Sequence, residues 1–264
     1  MKRRFLLAAL LSFSALAPAR AVDERYPDYE VRPGLTGEAH VSGAPAPASL
    51  MLLWPESFRI AQPGTSLHAS GAAGDVRIRA AVEAVAVLVN AQNPLTCISL
   101  EALRTLYTDK NPQWDMAGGT SGPVLAMARR PKPGEGDFFI EAVLASAPFA
   151  PSVTHVARYS ELLARLAGTP GGIGYAPAGY RGDGVKALQV SDDGECALPT
   201  AANAYRARYP LARFVYLEGG KSKASLAFFD YVLSQEGQRD AVIAGFYSLP
   251  FVYAEEERKR LGID

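Results

Sequence analysis

The sequence predicts an α/β protein, and three observations carry that expectation. Short runs with strand patterning alternate along the chain with stretches of helical apolar spacing. The run Val85-Ala86-Val87-Leu88-Val89 is apolar without a break, the pattern of a strand covered on both faces. The chain has 264 residues, 48% hydrophobic and 20% charged, which is ordinary globular composition and enough for one large core or two small ones.

The elements follow in order. Residues 22–37 are rich in charge, Pro and Gly and read as an extended arm. Glu38 to Val41 fits a short strand that runs into Ser42-Gly43. Ala48 to Phe58 has helical spacing, with Pro55 expected to kink it or start a second segment. Thr65 to Ala69 reads as a strand ending at Ser70-Gly71, and residues 72–84 fit neither pattern well. After the apolar strand, Ser99 fits an N-cap with Glu101 in the first turn, and Leu100, Leu103, Leu106 and Tyr107 share a helical face. Val124 to Ala128 is a strand, and Gly134-Glu135-Gly136-Asp137 opens a helix that starts at Phe138. Ser160 is expected to cap a helix ending before Gly168. Strands are expected at 171–176, 185–190 and 213–217, and helices at 222–233 and 235–244. Tyr253 to Leu261 reads as a solvated terminal helix, its acids leading its bases as the helix dipole favours.

The first residues have a different character. Lys2, Arg3 and Arg4 precede an apolar stretch from Phe5 to Ala17, and Ala19-Arg20-Ala21 follows, the layout of a cleavable secretory signal over residues 1–21. The apolar stretch is short of the roughly 20 residues that span a bilayer. Cleavage after Ala21 removes four of the 27 Lys and Arg and no acid, so 23 bases face 27 acids at a net charge of −4. Such a chain does not attract nucleic acid through its overall field, and any anion it holds must be captured by local geometry. Export into an oxidising compartment leaves two readings of Cys97 and Cys196 open, a disulfide or two separate buried thiols. The sequence does not give the Cα separation that would choose between them.

From Glu38 to Pro250 the chain resembles the periplasmic phosphate-binding receptors of ABC importers. The similar stretches come in that family's order: Leu35-Thr36-Gly37 and Val41-Ser42-Gly43, Val85 to Asn90, Leu100 to Thr108 with Trp114, Gly171 to Tyr175, Gly184 to Leu188, Tyr209 to Arg213, Phe229 to Gln238 and Gly245 to Pro250. The resemblance implies a two-lobed periplasmic-binding-protein-like fold with mixed sheets and a double hinge crossing. Lobe 1 would combine residues 38–90 with 205–264, and lobe 2 would hold 91–204. The chain would cross near Asn90 and again between Pro199 and Tyr209. Lobe 1 is abridged relative to the family, whose next strand and helix are missing before Val85.

The same resemblance implies a small oxyanion held between the lobes by loop N–H groups, helix N-termini, hydroxyls and one arginine. It places the ligand contacts at Ser42, Gly43, Ser70, Gly71, Arg130, Gly134, Glu135, Gly136 and Asp137. The family's main loop reads Arg, two residues, then Gly-Ser-Gly-Thr. Here its hydroxyl positions are Glu135 and Asp137, and an ionised carboxylate only accepts hydrogen bonds. Two such acids would weaken phosphate capture unless they cap the helix that follows, where acids are favoured. The implied partners are the ligand and an importer's membrane subunits, with the protein acting as a monomer and no cofactor. The alternative is a sensor or interaction protein that kept the fold and lost phosphate binding.

Other chemistries have little support in the sequence. His40, His68 and His155 lie at no metal-ligand spacing. No Gly-x-Ser-x-Gly elbow is present, so a secreted hydrolase is the weakest reading. Gly172-Ile173-Gly174 is half of a dinucleotide fingerprint with Pro177 beyond it. A binding protein, not an enzyme, is the expectation.

Overall fold

In a computed structural model of the chain, residues 22–42, 48–69, 74–130 and 137–263 are described. The expected signal segment therefore lies outside the described residues, as do Gly43, Ser70, Gly71, Gly134, Glu135 and Gly136. The elements are β1 (Gly37–Ser42), α1 (Ala48–Ala61), β2 (Thr65–Ala69), β3 (Val76–Asn90), β4 (Cys97–Ser99) and α2 (Leu100–Thr108). Next come a 3-10 turn (Trp114–Ala117), β5 (Leu125–Arg129), α3 (Phe138–Ala142), β6 (Thr154–Val156), α4 (Tyr159–Ala167), β7 (Gly172–Pro177), β8 (Val185–Ala187) and β9 (Gln189–Ser191). The chain closes with α5 (Ala201–Tyr205), β10 (Ala212–Gly219), α6 (Lys223–Val232), α7 (Gln235–Ile243), β11 (Tyr247–Ser248) and α8 (Phe251–Leu261).

The α/β expectation holds, with mixed pairing. Among the described residues one curled sheet runs β2-β1-β10-β3-β7-β5-β6, with β8 and β11 also on β3, and β4 pairs β9 apart from it. β1 and β2 are parallel, β10 is antiparallel to both β1 and β3, and β5 is parallel to both β6 and β7. β3 is the shared spine. Its first half pairs β10 from Val76 to Ala84, and its second half pairs β7 from Val85 to Val89. Of the stretch that fits neither pattern in sequence, residues 76–84 begin this 15-residue strand.

Two separate cores form on that spine. Ile78, Ala80 and Ala81 pack with Trp54, Phe58, Phe228 and Leu217, whereas Val82, Val87 and Val89 pack with Leu103, Tyr107, Phe139 and Ile173. The change from one core to the other therefore falls within β3, between Ala81 and Val82. Asn90, which the resemblance put at the crossing, instead donates to the Leu166 and Ala167 carbonyls at 2.9 and 2.8 Å. It closes the end of α4, where carbonyls have no partner in the helix.

Three local expectations are corrected by packing. α1 runs through Pro55 as one helix. The proline removes one hydrogen bond, but Leu50, Trp54 and Phe58 bury a common face, and Trp54 Nε1 donates to the Gly237 carbonyl at 2.7 Å. α4 is capped at Arg158, not Ser160, because Glu161 reaches back to accept from the Ala157 N–H at 3.1 Å. α8 is docked, not solvated. Its Ala254 and Glu257 are buried, and Glu257 accepts from Arg79 of β3 at 2.6 Å. The Ser99 cap forms as expected, accepting from the Ala102 N–H at 3.1 Å.

Candidate functional site

A cleft of about 390 Å³ lies where the two cores meet. The first core's side contributes Ser49 and Leu52 of α1 with Ala244 and Phe246, and β3 contributes Glu83 and Val85 to its floor. The facing wall comes from three elements of the other core: Arg129 ending β5, Asp137 and Phe138 opening α3, and Arg158, Tyr159 and Ser160 opening α4. Tyr175 to Pro177 of β7 and Tyr180 complete it. Behind the cleft the halves meet at two glycines. The Gly179 N–H donates to the Gly245 carbonyl at 3.1 Å, and a Cβ on Gly179 would come within 2.8 Å of the Gly245 Cα. Only a residue without a side chain permits that approach.

The expected site residues fall out unevenly. Ser42 ends β1, half-buried and opposite Glu218, away from the cleft lining. Arg130 is exposed, and its N–H donates to the Val156 carbonyl at 3.0 Å. Of the two neighbours it is Arg129, the last residue of β5, that lines the cleft. The Arg129 guanidinium lies 5.1 Å from the centre of the Tyr159 ring.

Asp137 does line the cleft, but both of its oxygens have partners in the protein. Oδ1 accepts from the Phe139 and Ile140 N–H groups at 3.0 and 3.4 Å, which makes Asp137 the cap of α3. Oδ2 accepts from the Tyr175 hydroxyl at 2.8 Å. Burial pushes the Asp137 carboxyl above its usual range, against the Tyr175 hydroxyl, the two N–H groups and Arg129, which favour its charge. The capping role offered in sequence as the alternative to anion repulsion is the one the fold uses.

A second acid was not legible in the sequence. Glu83 is buried on β3 directly across from Arg213 of β10, with Nε to Oε2 at 2.8 Å. The other arm of Arg213 reaches Glu141 of α3 at 2.6 Å, and its guanidinium lies 4.2 Å from the Phe138 ring centre. Burial raises the Glu83 carboxyl, and Arg213 opposes that shift. Arg158, Tyr159, Ser160 and Tyr175 also went unread as site residues, and no local motif marks them. Their presence in the cleft depends on where β7 and α4 pack.

The arrangement suits an anion more than a cation. Two arginines stand on one wall, and Arg158, Tyr159 and Ser160, which open α4, line the cleft. Helix N-termini favour negative charge. Elsewhere in the same lobe Cys97 and Cys196 are joined, with Cα atoms 6.1 Å apart, so the choice left open by the sequence falls to the disulfide.

Two lobes on a shared strand with a cleft between them define a solute-binding fold. The chain belongs to the family described as the PBP superfamily domain, whose profile matches residues 68–236. Along its whole length it is 24% identical to the whole of the phosphate-binding protein PstS of Pseudomonas aeruginosa. Among solved structures it resembles a possible phosphate binding protein from Planctomyces limnophilus, with TM-score 0.75 and 18% identity over 87% of this chain and 99% of that one. It also resembles an ABC-type phosphate transport receptor from Vibrio cholerae, with TM-score 0.63 and 18% identity over 82% of this chain and 100% of that one.

Proposed function

We propose that this protein is an exported receptor that captures phosphate between its lobes and presents it to the membrane subunits of an ABC importer. The observation that carries the reading is the convergence of Arg129, Arg158 and the α4 N-terminus on the interlobe cleft. Full-length similarity to a phosphate-binding protein supports phosphate as the anion. In this reading Arg129 takes the bidentate role toward the anion. The lobes part within β3 and β10, where the cores change over, and closure bends the chain there. Engagement of the Asp137 carboxylate by Tyr175 and the α3 N-terminus removes one of the two acids that argue for lost binding.

Export is part of the proposal. The proposal rests on the signal layout of residues 1–21, and Val22 is buried against the first core. Mass spectrometry of protein from the cell envelope should show an N-terminus at Val22, and an intact Met1 would contradict export with cleavage. Calorimetry of the chain from Val22 onward tests the ligand. Saturable heat with phosphate and a much weaker response to sulfate are expected. No binding of either anion would return the alternative, a fold that has lost its ligand.

A further inference from the structure

Trp114 opens the 3-10 turn that follows α2, and both of its backbone groups are used. Its N–H donates to the Gly122 carbonyl at 2.9 Å, and its carbonyl accepts from the Gly119 N–H at 2.8 Å. The side chain is only 6% exposed, yet among the described residues its indole Nε1–H finds no acceptor. A buried donor left unpaired is costly, and native folds keep few of them. Trp54, the other tryptophan of the chain, does donate its indole N–H, to the Gly237 carbonyl at 2.7 Å.

The Trp114 indole stands in the wall of a lobe 2 cavity of about 400 Å³, which shares no lining residue with the interlobe cleft. Gly171 lines that cavity beside the nitrogen, since a Cβ built on it would lie 3.9 Å from Nε1. Pro94, Pro123, Pro170 and Leu125 supply an apolar wall, and Leu125 is 53% exposed. Gln92, Asn93 and Thr120 add uncharged polar groups, and none of the described lining side chains is charged.

We infer that this cavity is a second binding site, one that takes an uncharged ring carrying a carbonyl acceptor and no N–H, the chemistry of a prolyl residue in a peptide. The Trp114 indole donates to that carbonyl. The lining selects the class. A charged ligand would lose its hydration with no opposite charge to replace it. Proline has a carbonyl and no N–H, so it satisfies the indole without bringing a donor of its own against the apolar wall. Its ring packs on flat aromatic and proline surfaces, as proline-rich segments do in aromatic-lined grooves.

The test is titration of N-acetylproline dimethylamide, which has no N–H, into the protein labelled at its tryptophan indole nitrogens and held in phosphate-free buffer. The NMR spectrum should contain one indole signal for each of the two tryptophans, with Trp54 as the internal reference. Only the Trp114 signal should move, downfield and saturably, as its N–H gains an acceptor. Trp114→Phe keeps an aromatic face and removes the donor. By ligand-detected NMR it should weaken binding about fivefold, the share of one neutral hydrogen bond. N-acetylproline with its free carboxylate, and N-acetylalanine methylamide with its two N–H groups and no ring, should each bind about tenfold more weakly than the blocked proline. A Trp114 signal that stays still, a Trp54 signal that moves with it, or equal affinity for the alanine compound would each overturn the site. The unaltered protein decides the matter even if the variant fails to fold, and no outcome depends on whether the cleft binds phosphate.

Discussion

The two lobes bury separate cores and fasten them differently. Each core contains one of the two tryptophans, Trp54 in lobe 1 and Trp114 in lobe 2. Lobe 2 is closed covalently, by a disulfide that joins residues 99 apart. Lobe 1 is assembled from both ends of the chain, and charge ties those ends together. Asp230 of α6 accepts from Arg32 of the N-terminal arm at 2.9 Å and from Arg258 of α8. Glu257 of α8 accepts from Arg79 and Arg260, and the buried amide of Gln238 donates to the Ala80 carbonyl at 2.9 Å and accepts from the Leu249 N–H at 2.7 Å. A continuous segment can be cross-linked within itself. A lobe built from distant segments needs contacts that find each other late, and paired side chains supply them.

This contrast predicts separable failures, read through single-tryptophan variants. The largest effect should follow Cys97→Ala with Cys196→Ala. It should lower stability by about 4.7 kcal/mol, the loop-closure value for a loop of about 100 residues. Trp114 fluorescence in urea reports it, and an unchanged midpoint would show that the bridge does not restrain the unfolded chain. Asp230→Ala should cost about 3 kcal/mol, since it leaves the mostly buried Arg258 without its carboxylate. That loss should appear at Trp54, and an equal shift at Trp114 would mean the lobes unfold as one.

Arg129→Ala should weaken phosphate binding by about tenfold or more, because a charge-assisted hydrogen bond is worth about 1.5–3 kcal/mol and 1.4 kcal/mol is tenfold. The same change at exposed Arg130 should do little, and calorimetry that ranks them the other way would reassign the arginine. Helix caps give a matched pair. Ser99→Ala in lobe 2 and Ser222→Ala in lobe 1 each remove an acceptor for an N–H at 3.1 Å and should cost about 1 kcal/mol in their own lobe.

The smallest effect is one of pH. Burial alone would raise the Glu257 carboxyl, but Arg260 and Arg79 outweigh it and the net shift is downward. A lowered carboxyl stabilises the fold above the ordinary glutamate range, about 4.3, and that contribution fades as pH falls through the lower folded value. Glu257→Gln should therefore flatten the acid side of the Trp54 stability profile and leave neutral pH less stable. An unaltered acid limb would remove Glu257 from the account.

Local chemistry was enough to read most of the elements. The cap at Ser99, the strand at Thr65–Ala69 and the buried run at Val85–Val89 are set by side chains adjacent in sequence, so the sequence alone determined them. It also determined the α/β class, and the ordered stretches from Glu38 to Pro250 pointed to the family. The cleft was only partly legible: Asp137 reads in sequence as a ligand contact or as a cap of α3, and its partner Tyr175 lies 38 residues away. Whether Arg129 or Arg130 enters the cleft depends on one residue of strand phase, which sequence leaves free. The unbroken run of α1 past Pro55, the docking of α8 through Glu257, the Cys97–Cys196 bond and the meeting of His40 with His68 were decided only by tertiary structure. Each joins residues whose separation along the chain says nothing of their distance in space, and the packing of the sheet around β3 sets that distance.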